Sequence, residues 1–142
     1  MAKLTFINHA SYVIETDKSL LIVDPWVEGG AFDNGWSLLD KSITNKMLVE
    51  YLTKTKKAKF IWLSHEHSDH FSVPFLKALK KTEVEVKFLF QKTLDGRVAQ
   101  FIKKMGFLSW NDSIKNLHNP ESEKDLNSIC LKIIAIFLIY NI

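Results

Sequence analysis

The sequence predicts an α/β domain. Short apolar, β-branched runs recur from the N-terminus, stretches with apolar residues at helical spacing fall between them, and polar turns separate the two kinds of segment. With 142 residues and 46% hydrophobic content, the chain builds one core and little more. Residues 1–142 are accordingly read as a single domain.

Leu4 to His9 and Ser11 to Thr16 form two short strands, and Leu20 to Val23 forms a third, fully buried one. Asp17-Lys18-Ser19 is the polar turn between the second and third. Asp24-Pro25 ends the third strand, because proline has no N–H for the ladder. The loop Trp26 to Asp40 carries Gly29, Gly30 and Gly35 with Trp26, Phe32 and Trp36. It is either one lip of a substrate pocket or a packed surface loop. Ile43, Met47, Leu48, Tyr51 and Leu52 mark one helix face. Phe60 to Ser64 is the next strand, and Ser72 to Lys81 is a helix with Ser72 as N-cap and Pro74 in its first turn. Val84 to Phe90 is a further strand. Val98, Phe101, Ile102 and Met105 define a helix closed by Gly106.

Charge narrows the function. Nineteen Lys and Arg stand against sixteen Asp and Glu, a net of +3. The densest basic cluster, Lys54 to Lys59, reads as a solvated loop or helix end. A nucleic-acid module would show a stronger basic bias with interleaved aromatics. The single Cys130 excludes an internal disulfide and a thiolate metal cage. Met1-Ala2-Lys3 leads directly into patterned sequence with no apolar signal core, which makes the cytoplasm the expected compartment. Asn116 to Asp125 is linker-like. The stretch Ile129 to Ile142 is almost wholly apolar and reads as a buried strand, since a bilayer span needs about 20 residues. Oligomeric state is left open.

The most specific feature is Ser64-His65-Glu66-His67-Ser68-Asp69-His70, directly after the apolar Phe60-Ile61-Trp62-Leu63. Imidazole nitrogen and carboxylate oxygen are the donors that borderline divalent metals prefer. In extended backbone, residues two apart share a face, so His65 and His67 aim at one ion and Asp69 continues that face. His70 joins them only if the chain turns there.

His65-Glu66-His67-Ser68-Asp69-His70 resembles the HxHxDH signature of the metallo-β-lactamase superfamily. The upstream Asn8-His9-Ala10-Ser11, Leu20 to Val23 and Asp24-Pro25-Trp26 resemble the branch containing N-acyl-phosphatidylethanolamine phospholipase D and ascorbate-phosphate lactonase. Gly29 to Trp36 is similar to CMP-N-acetylneuraminate hydroxylase-like proteins. The likeness covers about residues 3 to 110. It implies an αββα sandwich, here the N-terminal half to two-thirds, with one or two metal ions at the sheet edge. It also implies that His65 and His67 hold the first ion, and that Asp69 and His70 hold the second and serve in catalysis. Asp24 resembles the family's supporting aspartate behind the histidine loop. His9 matches the branch's early histidine and either approaches the pocket or is a hydrogen-bonded core histidine.

The family takes further ligands from its C-terminal half. Here only His118 remains as a third-ligand candidate, with Asp112 and Asp125 as bridging candidates by elimination. The expected chemistry is metal-assisted hydrolysis of a small-molecule ester, lactone or phosphodiester, with zinc first and manganese or iron compatible with the same donors. Two alternatives stand beside it. One is a truncated, catalytically incomplete metal-binding fragment. The other is a component related to modification of CMP-sialic acid, where one cysteine excludes a Rieske cluster in this chain alone.

Overall fold

The computed structural model describes residues 2–90 and 95–107, all belonging to one compact unit, Met1–Ser109. His118, Asp112, Asp125, Cys130 and the apolar stretch Ile129 to Ile142 lie outside the described residues.

Five strands form a mixed sheet: β1 (Lys3–Asn8), β2 (Ser11–Glu15), β3 (Ser19–Val23), β6 (Ala58–Leu63) and β7 (Lys87–Phe90), side by side in that order. β1 and β2 are antiparallel, as are β2 and β3. β3 and β6 are parallel, as are β6 and β7. Parallel neighbours need a crossover. Helix α1 (Asn45–Lys54) lies in the first, which also carries the two-residue strands β4 (Gly30–Ala31) and β5 (Trp36–Ser37). Helix α2 (Val73–Lys80) makes the second, and α3 (Arg97–Lys104) follows β7.

Side chains alternate across the sheet. Val13, Leu20, Ile22, Ile61, Leu63, Phe88 and Phe90 are buried in one core with Leu48, Val49 and Leu52 of α1, Phe75, Leu76 and Leu79 of α2, and Val98 and Ile102 of α3. Burying each such side chain contributes about 1.5–3 kcal/mol. The other face carries the cross-strand row Phe6, Tyr12, Val23, Trp62 and Leu89. Its exposure grows toward the β1 edge, where Phe6 and Leu4 are mostly uncovered. β3 is therefore buried on one face, with Leu21 and Val23 part-exposed, rather than fully buried as its composition suggests. The described residues hold this five-stranded sheet with its helices and the small β4–β5 ribbon, and the second large sheet of a sandwich is not among them.

The helices carry the expected signals with two shifts. Thr44 caps α1, accepting from the Met47 N–H, and Ser72 caps α2, accepting from the Phe75 N–H. The inward face of α1 is Asn45, Leu48, Val49 and Leu52, while Met47 and Tyr51 are exposed. Polar Asn45 disguises the phase of that face. The ladder of β7 begins only at Lys87, opposite Phe60. Val84 and Val86 reach the core from outside the ladder. α3 ends as expected on Gly106 at φ +75. There the Gly106 N–H reaches Lys103 O and the Phe107 N–H reaches Ile102 O, a Schellman closure. The basic cluster is the end of α1 and the start of β6, with Lys57 paired to Glu15. Among the described residues no helix is long and apolar enough to cross a membrane.

Candidate metal centre

Topology gathers the site. Since β1 and β3 are each antiparallel to β2, they run the same way, and β6 runs with them. The C-terminal ends of all three strands meet at one edge of the sheet, where open α/β sheets place their ligand sites. β1 ends into His9, β3 into Asp24 and β6 into Ser64 and the histidine run. His9 and Asp24 both have left-handed backbone, at φ 45 and 41, which turns each out of its strand. Unstrained L-residues seldom adopt this conformation, and it concentrates at functional positions.

The turn around Asp24 is held from below by Ser11. Its buried hydroxyl donates to Asp24 O and accepts from the Trp26 N–H at 3.2 Å. The Asp24 N–H continues the ladder to Trp62 O at 2.9 Å. The carboxylate of Asp24, 4% exposed, then points along the edge. Its Oδ1 accepts from the Ser64 N–H at 2.8 Å, and its Oδ2 from the Ser64 hydroxyl at 2.7 Å. His70 Nδ1 lies 2.8 Å from the same Oδ2.

The histidine run leaves β6 at Leu63 and turns at His67, whose carbonyl accepts from the N–H groups of His70 and Phe71. This is the reversal that lets His70 face the others, and it begins three residues before His70. The rings of His65 and His67 have centroids 4.6 Å apart, and those of His65 and His70 are 4.2 Å apart. Glu66 points away, with its carboxylate 3.5 Å from exposed Arg97. Burial lowers the pKa of His65 below that of a free imidazole, with repulsion from His70 and His67 adding to the effect. The shift favours the neutral ring, the form with a lone pair to give.

Asp69 is 6% exposed. Its Oδ2 lies 3.1 Å from His9 Nε2 and 3.5 Å from His70 Nε2, while its buried Oδ1 has no partner. His9, Asp69 and His70 each offer a donor atom, all within 4.8 Å of one another. A buried carboxylate with an unused oxygen, ringed by imidazoles, fits a divalent cation better than it fits bare protein. His9 is exposed and bonded to Asp69 at 3.1 Å rather than buried in the core. His65 and His67 flank this trio through ring contacts. His118 lies outside the described residues.

The loop Trp26 to Asp40 borders the site. Trp26 is buried with Ala31 and Leu38, and its ring stands edge-on to His9 at 5.3 Å. Phe32 and Trp36 are exposed, pack edge to face at 5.2 Å, and reach His67 and His9 at 6.0 and 6.5 Å. The Phe32 N–H donates to Ser68 Oγ at 2.9 Å, which ties this tip to the histidine turn. Beside it an open cavity of about 430 Å³ is lined by Val27, Glu28, Trp36, Leu38 and Lys41.

Sequence reasoning missed Ser11 and Ser64 as supports. Ser64 adjoins His65 and Ser11 lies two residues after His9, and that proximity is the one signal the sequence carries for them.

Residues 3–131 match the model of the family described as beta-lactamase superfamily domain. The chain is 32% identical over 104 residues to cytidine monophosphate-N-acetylneuraminic acid hydroxylase of Xenopus laevis, covering 73% of this chain and 17% of that protein. It is 35% identical over 77 residues to the inactive human protein of that name, covering 54% of this chain and 14% of that one. The chain thus spans under a fifth of the length of these relatives. A solved metallo hydrolase from the archaeon Ignicoccus hospitalis is 18% identical with a TM-score of 0.44, covering 76% of this chain and 38% of that one. The chain belongs to the metallo-β-lactamase superfamily.

Proposed function

We propose that this chain holds a divalent metal centre of hydrolytic type at the strand ends, with His65, His67, Asp69 and His70 as ligands. Asp24 supports them from behind, and His9 braces Asp69. The observation that carries this reading is the Asp69 carboxylate: buried, one oxygen unpartnered, the other facing two imidazole nitrogens. When bound, a divalent ion supplies a Lewis acid for a carbonyl or phosphoryl oxygen and lowers the pKa of water from about 16 to about 7. Asp69 and His70 hold the reacting end of the substrate next to that charge. Asp24 keeps His70 turned toward Asp69 through the 2.8 Å contact. Trp26 and Trp36 stand edge-on to the exposed His9 ring, and the exposed Phe32–Trp36 pair contacts the substrate body. Zinc is the preferred ion, and manganese or iron suit the same donors. The substrate class is a phosphodiester, lactone or related ester.

Metal content of the purified chain, measured beside His67→Ala and Asp69→Asn, tests this reading. Wild type retains zinc in stoichiometric amount after dialysis, and both variants lose it. Equal content in all three removes the ligand assignment. Hydrolysis of bis(p-nitrophenyl) phosphate by the zinc-loaded chain then separates a working hydrolase from a metal-binding fragment without turnover.

A second reading rests on the identity to the cytidine monophosphate-N-acetylneuraminic acid hydroxylases. Here the chain binds a CMP-linked sugar beside the same centre. Calorimetry with CMP-N-acetylneuraminic acid tests it, and no heat of binding at millimolar ligand rejects it.

A further inference from the structure

We propose that Ser64 is a positioning residue that lets the single carboxylate of Asp24 fix two imidazoles at once, His65 directly above it in sequence and His70 across the turn. The proposal rests on the metal reading above. Ser64 Oγ has three polar neighbours: Asp24 Oδ2 at 2.7 Å, His65 Nδ1 at 2.8 Å and His70 Nδ1 at 3.4 Å. A hydroxyl carries one proton, and a carboxylate can only accept. The Ser64 proton therefore goes to Asp24. If it went to His65 instead, two oxygen lone pairs would face each other at 2.7 Å. With its proton committed, Ser64 Oγ can only accept from His65, so His65 carries its proton on Nδ1. His70 Nδ1, at 2.8 Å from Asp24 Oδ2, carries its proton for the same reason.

A ring whose single proton sits on Nδ1 has its Nε2 lone pair free. For His70 that nitrogen is the one facing Asp69 Oδ2 at 3.5 Å. A lone pair opposite a carboxylate oxygen is repulsive unless a proton or a cation stands between them. One buried aspartate, relayed through one hydroxyl, thus sets the donor atom of two ligands drawn from opposite ends of the histidine run. The Ser64 N–H donating to Asp24 Oδ1 at 2.8 Å locks the relay to the backbone, so Ser64 is gripped at both N–H and O–H. Tautomer and ring orientation are what such outer hydrogen bonds control, and losing one costs about 10- to 100-fold in metal affinity.

The test uses the full chain labelled with ¹⁵N-histidine, as wild type, Ser64→Ala, Ser64→Thr and Ser64→Cys. Long-range ¹H–¹⁵N correlation of the metal-free protein reads each tautomer, with His65 assigned from its loss in His65→Gln. Zinc affinity is read by competition with a chromophoric chelator. Wild type and Ser64→Thr show His65 protonated at Nδ1 and bind zinc alike. Ser64→Ala loses that tautomer at His65, keeps it at His70, and binds zinc about 10- to 100-fold more weakly. Should Ser64→Ala fail to fold, Ser64→Cys, with its poorer donor, shows the same tautomer change at His65 in smaller degree, read in the metal-free protein because a thiolate there can itself bind zinc. Wild type that binds zinc, with an alanine variant unchanged in both tautomer and affinity, overturns the relay alone. Wild type that binds no zinc overturns the metal reading and this proposal with it.

Discussion

Asp24 and His70, 46 residues apart, meet at 2.8 Å between a carboxylate oxygen and Nδ1, although neither has any local reason to do so. The contact exists because β3 and β6 are parallel neighbours whose ends coincide, Val23 opposite Trp62. Replacing Asp24 separates its two jobs. Asp24→Ala leaves the part-buried Ser64 N–H without its acceptor, at about 1–3 kcal/mol, while the hydroxyl turns to His65 Nδ1 at 2.8 Å. Asp24→Asn keeps an acceptor and loses less stability. Urea denaturation ranks the three proteins, and the account expects wild type, Asn, Ala in descending order.

Ser11 is the support beneath that aspartate. Its hydroxyl is 1% exposed and joins Asp24 O to the Trp26 N–H. Ser11→Ala removes both bonds while the Trp26 N–H keeps Asp24 O at 2.7 Å, so the loss is about 0.5–1.5 kcal/mol for each hydroxyl bond. Thermal unfolding measures the loss. A midpoint unchanged from wild type shows that the turn is held by the ladder alone.

Glu15 gives a pH prediction far from the site. Hydrogen bonds from Lys57 at 2.8 Å and from the Tyr51 hydroxyl at 2.9 Å lower its pKa. A carboxylate whose folded pKa is depressed stabilises above its unfolded pKa, about 4.3, and loses that contribution as pH falls through the folded value. Wild type is therefore more stable than Glu15→Gln at pH 7, and the gap closes below pH ~4. Denaturation curves at both pH values check it, and added salt narrows the gap at pH 7 because the pair is part-exposed.

Gly106 closes α3 at φ +75, where an added Cβ meets Lys80 Nζ at 3.0 Å. The lysine end can swing aside, so the cost of Gly106→Ala is mainly the left-handed backbone, about 1–2 kcal/mol. Chemical denaturation reads it directly. A neutral outcome means that the helix end relaxes into another closure.

How much of this was legible in the sequence follows from the range of each interaction. β1, β2 and β6 were readable because each is a short apolar or β-branched run bounded by polar or turn residues. The histidine run was readable because its chemistry is dense and local. The inward face of α1 was misjudged because Asn45, a polar residue, occupies one of its core positions, at the 45, 48, 49, 52 spacing. Met47 and Tyr51 looked apolar enough to take its place. The tie of His9 to Asp69 spans 60 residues, and that of Ser64 to Asp24 spans 40. Such pairs depend on strand order, which no local pattern encodes. The left-handed turns at His9 and Asp24 are likewise invisible, since neither residue is glycine.

Zinc K-edge X-ray absorption of the purified, zinc-supplied chain reads the donor atoms themselves. The expected spectrum is that of an ion held by nitrogen and oxygen donors at about 2.0–2.2 Å, with the outer-shell scattering of several imidazoles. That scattering diminishes in His67→Ala and His70→Ala. A spectrum of hydrated zinc without imidazole scattering, from protein shown to be folded, would contradict the ligand assignment.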